Sequence, residues 1–255
     1  MSQRLEIFNQ NSFEMMAFTK GTYEVSFARS DDDLCQAQEL RALCFKLAGR
    51  DADEFDRFCA HILIRSTQDR RLVGCFRMLP VTGGSINTSY SAQFYDLSAL
   101  AGFIGPMIEL GRFCIHPNEH DLDIIRIAWA ALTAYVDENK ISLLFGCTSF
   151  SGNDTTEHQA VFRLLGARHT APSHWAPKLK SNDVVDFKRN LNSCLDVQKA
   201  MSDMPPLLRT YLLMGGWVSD HAVFDRILNT MHVFTAIDIK AIPQTRKRIL
   251  RSLIG

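Results

Sequence analysis

The chain has 255 residues, 28 Lys plus Arg against 28 Asp plus Glu, and 46% hydrophobic content, enough to bury a full core without metal or disulfide support. Zero formal net charge and the lack of an interleaved basic and aromatic patch argue against a nucleic-acid partner. Seven cysteines without CxxC spacing read as reduced residues of a cytosolic protein, and no N-terminal apolar leader or span of ~20 apolar residues is present, so neither secretion nor membrane spanning is expected.

In chain order, "YEVSFA" (23–28) alternates as a strand does, and Ser30-Asp31-Asp32-Asp33 is a helix N-terminus, predicting a helix to about Phe45. "LAGRDADEFDRF" breaks that pattern. "HILIRS" and "RLVGCFRMLP" then read as a hairpin over the turn "TQDR", and residues 81–102 read as loop with a helical turn. "MIELGRFCI" is the next strand, "DIIRIAWAALTAYVDENK" an amphipathic helix, "ISLLFGCTSF" a central strand and "HQAVFRLLG" a short helix ended by Gly166. "PPLLRTYLLMGGWV" reads as helix and "MHVFTAIDI" as strand. The order predicts an α/β protein with a mixed central sheet flanked by helices and a C-terminal helix-strand extension. The expected organisation is an N-terminal extension (1–22), a main domain (23–240) and a basic tail (241–255).

No G-x-S-x-G elbow, P-loop, H-E-x-x-H or dinucleotide fingerprint occurs, and no metal site is expected. The residues that invite a chemical role are charged and dispersed. Glu109 and Arg112 interrupt the apolar run "PMIELGRFCIHP", and burying charge is costly unless it is paired or used. Arg41, the acidic series Asp51, Asp53, Glu54 and Asp56, and Arg77 inside "GCFRMLP" complete the set. Taken singly, Arg41 reads as solvated, the acids as an exposed loop and Arg77 as an edge-strand residue. Cys75, Cys114 and Cys147 read as small buried residues, because no His and Asp pattern surrounds them, and Trp129 and Trp217 read as core.

Together, "AQELRALCF", "DEFDRFCAHILI", "RLVGCFRMLP", "YSAQFYDLS", "IELGRFCIHP" and "LLFGCTSF" occur in an order that resembles the GNAT-like acyltransferases using acyl carrier protein, in particular the ornithine lipid synthases (ornithine N-alpha-acyltransferases). "PPLLRTYLLMGGWVSDHAVFDRILNTMHVFTAID" extends the likeness over most of the chain. Acyl-homoserine-lactone synthases are similar more distantly, through Arg41 and Phe45, Asp51, Asp53, Phe55 and Asp56, Arg77, and the Glu109/Arg112 pair. The resemblance implies a GNAT-like fold and transfer of a 3-hydroxyacyl chain from acyl carrier protein to an amino-acid amine, giving a lyso-ornithine lipid. Glutamine or glycine as acceptor, lactone synthesis, and a haemolysin-like lipid-binding protein are the competing readings. No cofactor is expected beyond the donor's own phosphopantetheine. The loop "HPNEHDLDIIR" has no glycine, and Glu119, Asp121 and Asp123 oppose an incoming pyrophosphate, which disfavours coenzyme A as donor.

On this reading Glu109 is the candidate base, its apolar setting tuning it toward the working range, and Gly111 hosts a bulge that brings Glu109 and Arg112 to one side. Arg41, Arg77 and Arg112 hold the acceptor's carboxylate, with Phe45 beside them. Asp51, Asp53 and Asp56 either receive its side-chain ammonium or hold the arginines in place. Phe, Leu and Ile around 94–104 and 143–150 line an acyl slot. Arg163, Arg168, Lys178 and Lys180 form the expected docking surface for the acidic carrier protein. The tail "IPQTRKRILRSLIG" places Ile249, Leu250, Leu253 and Ile254 to one side and Arg246, Lys247, Arg248 and Arg251 elsewhere, suited to peripheral contact with an anionic membrane from the cytoplasm.

Overall fold

The structure, a computed structural model, describes residues 18–190 and 195–253; most of the expected N-terminal extension, Cys194 and Ile254 lie outside the described residues. In chain order the elements are β1 (Phe18–Lys20), β2 (Tyr23–Phe27), α1 (Asp31–Phe45), β3 (Ala60–Ser66), β4 (Leu72–Val81), β5 (Tyr95–Asp96), β6 (Met107–Ile115), α2 (Leu122–Glu138) and β7 (Leu143–Ser151). They continue with α3 (Thr155–Arg168), β8 (Lys178–Leu179), β9 (Val184–Asp186), α4 (Val197–Asp203), α5 (Pro206–Leu213), β10 (Trp217–Val218), β11 (His221–Asp225), β12 (Thr230–Asp238) and α6 (Gln244–Ser252). The described residues divide into two compact units, one from 18–80, 110–141 and 244–253, the other from 81–109, 142–190 and 195–243.

In the first unit the strands run β1-β2-β3-β4-β6, with β1, β2, β3 and β4 successively antiparallel. Helix α1 starts where the sequence predicts. Ser30 Oγ accepts from Asp33 N at 3.0 Å while the Asp33 carboxylate accepts from Ser30 N at 3.2 Å, a capping box that satisfies two otherwise orphan donors. It ends at Lys46, whose left-handed φ of 56° lets Leu47 N donate to Ala42 O. Ala37, Leu40, Leu63, Leu72, Cys75 and Cys114 form a buried cluster, so Cys75 and Cys114 are core residues as expected.

In the second unit the order is β7-β12-β11-β9, with β10 also pairing β12. β7 and β12 are antiparallel from Ser151↔Thr230 to Leu143↔Asp238. Because cross-strand partners share a face, the sheet has two chemically different sides. Phe150, Met231, Val233 and Ala222 meet Val161, Phe162, Leu165 and Leu208 in an apolar cluster. The opposite side carries Cys147, Ser149, His232, Phe234, His221 and Asp225.

Several boundaries differ from the sequence reading. Helix α3 passes through Gly166 to Arg168, where His169 N still bonds Leu165 O, because that glycine takes no left-handed backbone. Helix α5 ends at Leu213, Gly215 turns the chain with φ 88°, and "WV" enters β10. Gly216 is required there by space: a Cβ would lie 2.7 Å from Tyr211 O.

Candidate active site

The first unit holds a closed ring of three arginines and three aspartates. Arg41 Nε donates to Asp51 Oδ2 at 2.9 Å, and its Nη1 and Nη2 donate to the two Asp56 oxygens at 2.8 and 3.0 Å. Arg77 Nη1 bonds Asp56 Oδ1 at 2.8 Å, and Arg77 grips Asp53 with two bonds of 2.6 and 2.8 Å. Arg112 closes the ring through Asp53 Oδ2 at 3.2 Å and Asp51 Oδ2 at 2.7 Å. Each carboxylate therefore spans two guanidiniums. Arg41 is 1% exposed and Arg77 3% exposed, so neither the solvated reading of Arg41 nor the edge reading of Arg77 holds. The acids are likewise no open loop: Asp51 and Asp56 are buried, and Asp53, with a side chain 23% exposed, is the open corner. Phe55 and Phe45 lie against the guanidiniums of Arg77 and Arg112, with Cζ 5.6 and 5.7 Å from the ring centres.

Backbone and electrostatics lock this ring. Asp53 caps the 3-10 turn Glu54–Arg57 by accepting from Phe55 N, which aims the acidic segment at the arginines. Burial by itself would push the Asp56 carboxyl up, but the hydrogen bond and charge of Arg41 outweigh it and hold the group below the ordinary carboxylate range. Gln38 donates to the same carboxylate at 2.9 Å. His61 Nε2 lies 2.9 Å from Asp56 O, and burial pushes its imidazole down to about 4. A neutral ring therefore donates to that carbonyl.

Strand β6 places its two charged residues differently from the expectation. Gly111 is not the left-handed residue; Arg112 is, at φ 52°, a conformation that costs a side-chain-bearing residue on the order of 1–3 kcal/mol. The two ion pairs of Arg112 offset that cost. A Cβ on Gly111 would meet Arg77 Nε at 3.4 Å, an ordinary van der Waals contact.

Glu109 lies in the second unit, 4% exposed, and its setting is polar instead of apolar. Oε2 accepts from Tyr90 N at 2.7 Å, and Oε1 accepts from Ser91 N at 2.7 Å and Ser91 Oγ at 2.6 Å. Donors in this number favour the ionised carboxylate. Cys147 is half-buried and its Sγ lies 3.4 Å from Ser91 Oγ, so it belongs to this polar chain and not to the core, a correction to its sequence reading. Tyr90 Oη reaches Asp225 Oδ2 at 3.3 Å, and Tyr95 Oη donates to His232 O at 2.8 Å.

Of the expected docking cations, Arg168 and Lys178 are exposed, Arg163 is half-buried with Nε enclosed, and Lys180 Nζ donates to Ala92 O at 2.6 Å. Of the apolar residues at 94–104, Leu97 and Leu100 are buried while Ile104 is 92% exposed. The loop before α2 uses Asp121 as N-cap, accepting from Asp123 N at 2.8 Å and from Tyr23 Oη at 2.9 Å. Glu119 pairs with Arg71 and Asp123 with Arg126. No group of His, Cys, Asp and Glu suited to a metal occurs among the described residues. Gln38, His61, Ser91, Tyr90 and Asp225 were not singled out from sequence; their polar types in or beside apolar runs were the available signal, and their partners lie far along the chain.

Residues 36–130 match the family described as "Acetyltransferase (GNAT) domain". The chain is 31% identical over 250 residues to an L-ornithine N(alpha)-acyltransferase of Rhodobacter capsulatus, covering 91% of this chain and 96% of that protein. It is 33% identical over 143 residues to an acyl-homoserine-lactone synthase of Agrobacterium fabrum, covering 52% of this chain and 67% of that one. Among solved structures, FeeM, an N-acyl amino acid synthase from uncultured soil microbes, matches with a TM-score of 0.50 at 11% identity, over 86% of this chain and 91% of that one. The GNAT-like α/β fold and the acyltransferase class read from the sequence agree with these likenesses.

Proposed function

The chain belongs to the L-ornithine N(alpha)-acyltransferase family, and on that premise we propose that it moves a 3-hydroxyacyl chain from the phosphopantetheine of acyl carrier protein to the alpha-amine of L-ornithine. The observation that carries the acceptor assignment is kinship along nearly the whole of both chains, which the shorter lactone-synthase likeness does not match. The neutral amine attacks the thioester carbonyl, a C–N bond forms, the C–S bond breaks, and the pantetheine leaves as thiol with the proton given up by nitrogen.

Glu109 is the proton acceptor in this reading, reached through Ser91 Oγ, whose hydroxyl already points at Oε1 from 2.6 Å. In the first unit, Arg112 holds the acceptor's carboxylate in this reading, with Phe45 beside it. Arg41, Arg77, Asp51, Asp53 and Asp56 fix its geometry.

Support for a carrier-protein donor comes from the N-terminus of α2. There the Asp121 carboxylate already takes the Asp123 N–H that an incoming pyrophosphate would need, and Glu119 and Asp123 add negative charge. A phosphopantetheine arm brings a single phosphodiester. Arg168 and Lys178 supply exposed positive charge for an acidic carrier.

No helix among the described residues is long and apolar enough to cross a membrane. Helix α6 leaves Leu250 and Leu253 half-buried, ties Arg251 to Asp137 at 2.8 and 3.0 Å, and leaves Arg246, Arg248 and Ile249 exposed. That outer side is the membrane-facing surface in this reading, placing an amphiphilic product near its bilayer.

Incubating the purified protein with 3-hydroxyacyl carrier protein or the matching acyl-coenzyme A, and with ornithine, glutamine or glycine, tests the proposal by mass spectrometry. Acyl-ornithine formed from the carrier-protein donor is the expected product. Preference for glutamine or glycine overturns the acceptor, equal use of coenzyme A overturns the donor, and no acylated amino acid overturns both.

A further inference from the structure

If the acceptor is a diamino acid, as the proposed function holds, its side-chain ammonium needs a negative or lone-pair partner, and the acids first considered for that task are taken. Asp51, Asp53 and Asp56 each bridge two of three arginines in a ring of balanced charge. An additional cation there would face three guanidiniums.

The polar side of the second unit's sheet offers a different environment. Asp225 on β11 is paired across the strands with Thr230 on β12, so the two side chains stand on one face, and His232 follows two residues along the same face. Asp225 is 5% exposed, yet every donor to it is neutral: Ile227 N at 3.0 Å and Leu228 N at 2.9 Å on Oδ1, and Tyr90 Oη at 3.3 Å on Oδ2. No cationic side chain pairs with it among the described residues, an unusual state for a buried carboxylate. Thr230 is 7% exposed and its Oγ1 is enclosed without a hydrogen-bond partner.

Ser149, half-buried, and Ser151, exposed, pair with His232 and Thr230 on the neighbouring strand and extend this face toward solvent.

We propose that Asp225 and Thr230 form a subsite for a primary ammonium, the side-chain terminus of the acceptor amino acid. The carboxylate supplies the charge and accepts N–H bonds, and Thr230 Oγ1 accepts another of the three that an ammonium donates. Tyr90, already bonded to the carboxylate, gives way or shares it as the ligand enters.

The test compares L-ornithine with L-norvaline, which has the same carbon chain without the terminal amine. The readout is the ratio of their kcat/KM values in the wild type, Asp225→Asn and Thr230→Val. Asp225→Asn keeps an oxygen for the Ile227 and Leu228 N–H groups, and Thr230→Val is isosteric and disturbs no existing bond, so it reads the site even where Asp225→Asn fails to fold. A wild-type preference for ornithine of about 100-fold or more, falling at least about tenfold in each variant, is expected of a site built to bind the group. A wild-type ratio near one, or an undiminished ratio in the variants, overturns the subsite while leaving the acylation reading intact. If the wild type acylates neither compound, the functional reading falls, and calorimetric titration of ornithine decides the subsite separately. Binding weakened about tenfold in Thr230→Val then supports it; absent or equal binding rejects it.

Discussion

The Ser91 hydroxyl sits 2.6 Å from Glu109 Oε1 while Ser91 N donates to the same oxygen at 2.7 Å, so one buried residue satisfies half of a carboxylate twice over. Glu109→Gln replaces one acceptor oxygen with an N–H₂ that must face a Tyr90 or Ser91 donor. The expected result is a stability loss of about 1–3 kcal/mol by chemical denaturation and a fall in kcat/KM of about 100-fold or more. Normal turnover in a folded Glu109→Gln enzyme would remove Glu109 from the reaction. Ser91→Ala separates the roles: it spares both backbone bonds, so a large kcat loss with little destabilisation marks the hydroxyl as the proton route.

Arg77→Lys keeps the charge but not the fork that holds Asp53 with bonds of 2.6 and 2.8 Å. One lost bond to a charged, mostly buried partner is worth about 1.5–3 kcal/mol. A lowered denaturation midpoint together with a raised acceptor KM is expected, because Asp53 is the open corner of the ring. Stability and KM both at wild-type values would show that the ring does not shape the site.

His61 makes stability depend on pH. Its imidazole titrates near 4 in the fold against an ordinary value of 6.5, so between those values the unfolded chain binds the proton and the native one does not. Stability is therefore full above about 6.5 and is lost as pH falls toward 4, by about 3 kcal/mol in all. Asp56, held low by Arg41 against the cost of burial, adds a loss only at still lower pH. His61→Gln should flatten the limb between pH 6.5 and 4 in urea denaturation; an unchanged slope would refute the assignment.

Arg168 and Lys178 are exposed in the second unit, and reversing both charges should raise the apparent KM for acyl carrier protein severalfold at low ionic strength and less at high salt. An effect independent of salt would point to misfolding in place of lost steering.

Arg246 and Arg248 face outward on α6, whereas Arg251 is held by Asp137. Arg246→Glu with Arg248→Glu should abolish sedimentation with anionic vesicles, at about 1 kcal/mol for each basic residue near the surface, while leaving α6 in place. Vesicle binding that persists in the double variant would reject this helix as the membrane contact.

Local patterns reached far into this protein. Ser30 with Asp33 set the start of α1, alternation set β2, and the apolar run of "ISLLFGCTSF" set β7, because capping bonds and side-chain periodicity act within a few residues. The ordered appearance of Arg41, Asp51, Asp53, Asp56, Arg77, Glu109 and Arg112 carried the family likeness. What those charges do was decided only in three dimensions. The bonds that close the ring span 10 to 61 residues of sequence, so no spacing rule shows that the aspartates are spent on the arginines. The polar contacts of Glu109 come from a segment 18 and 19 residues upstream, which inverted the apolar setting that its own strand suggests. Asp225 and Thr230 acquire meaning only when β11 and β12 pair. A buried charge announces from sequence that it must be compensated, but the compensating group is chosen by tertiary packing.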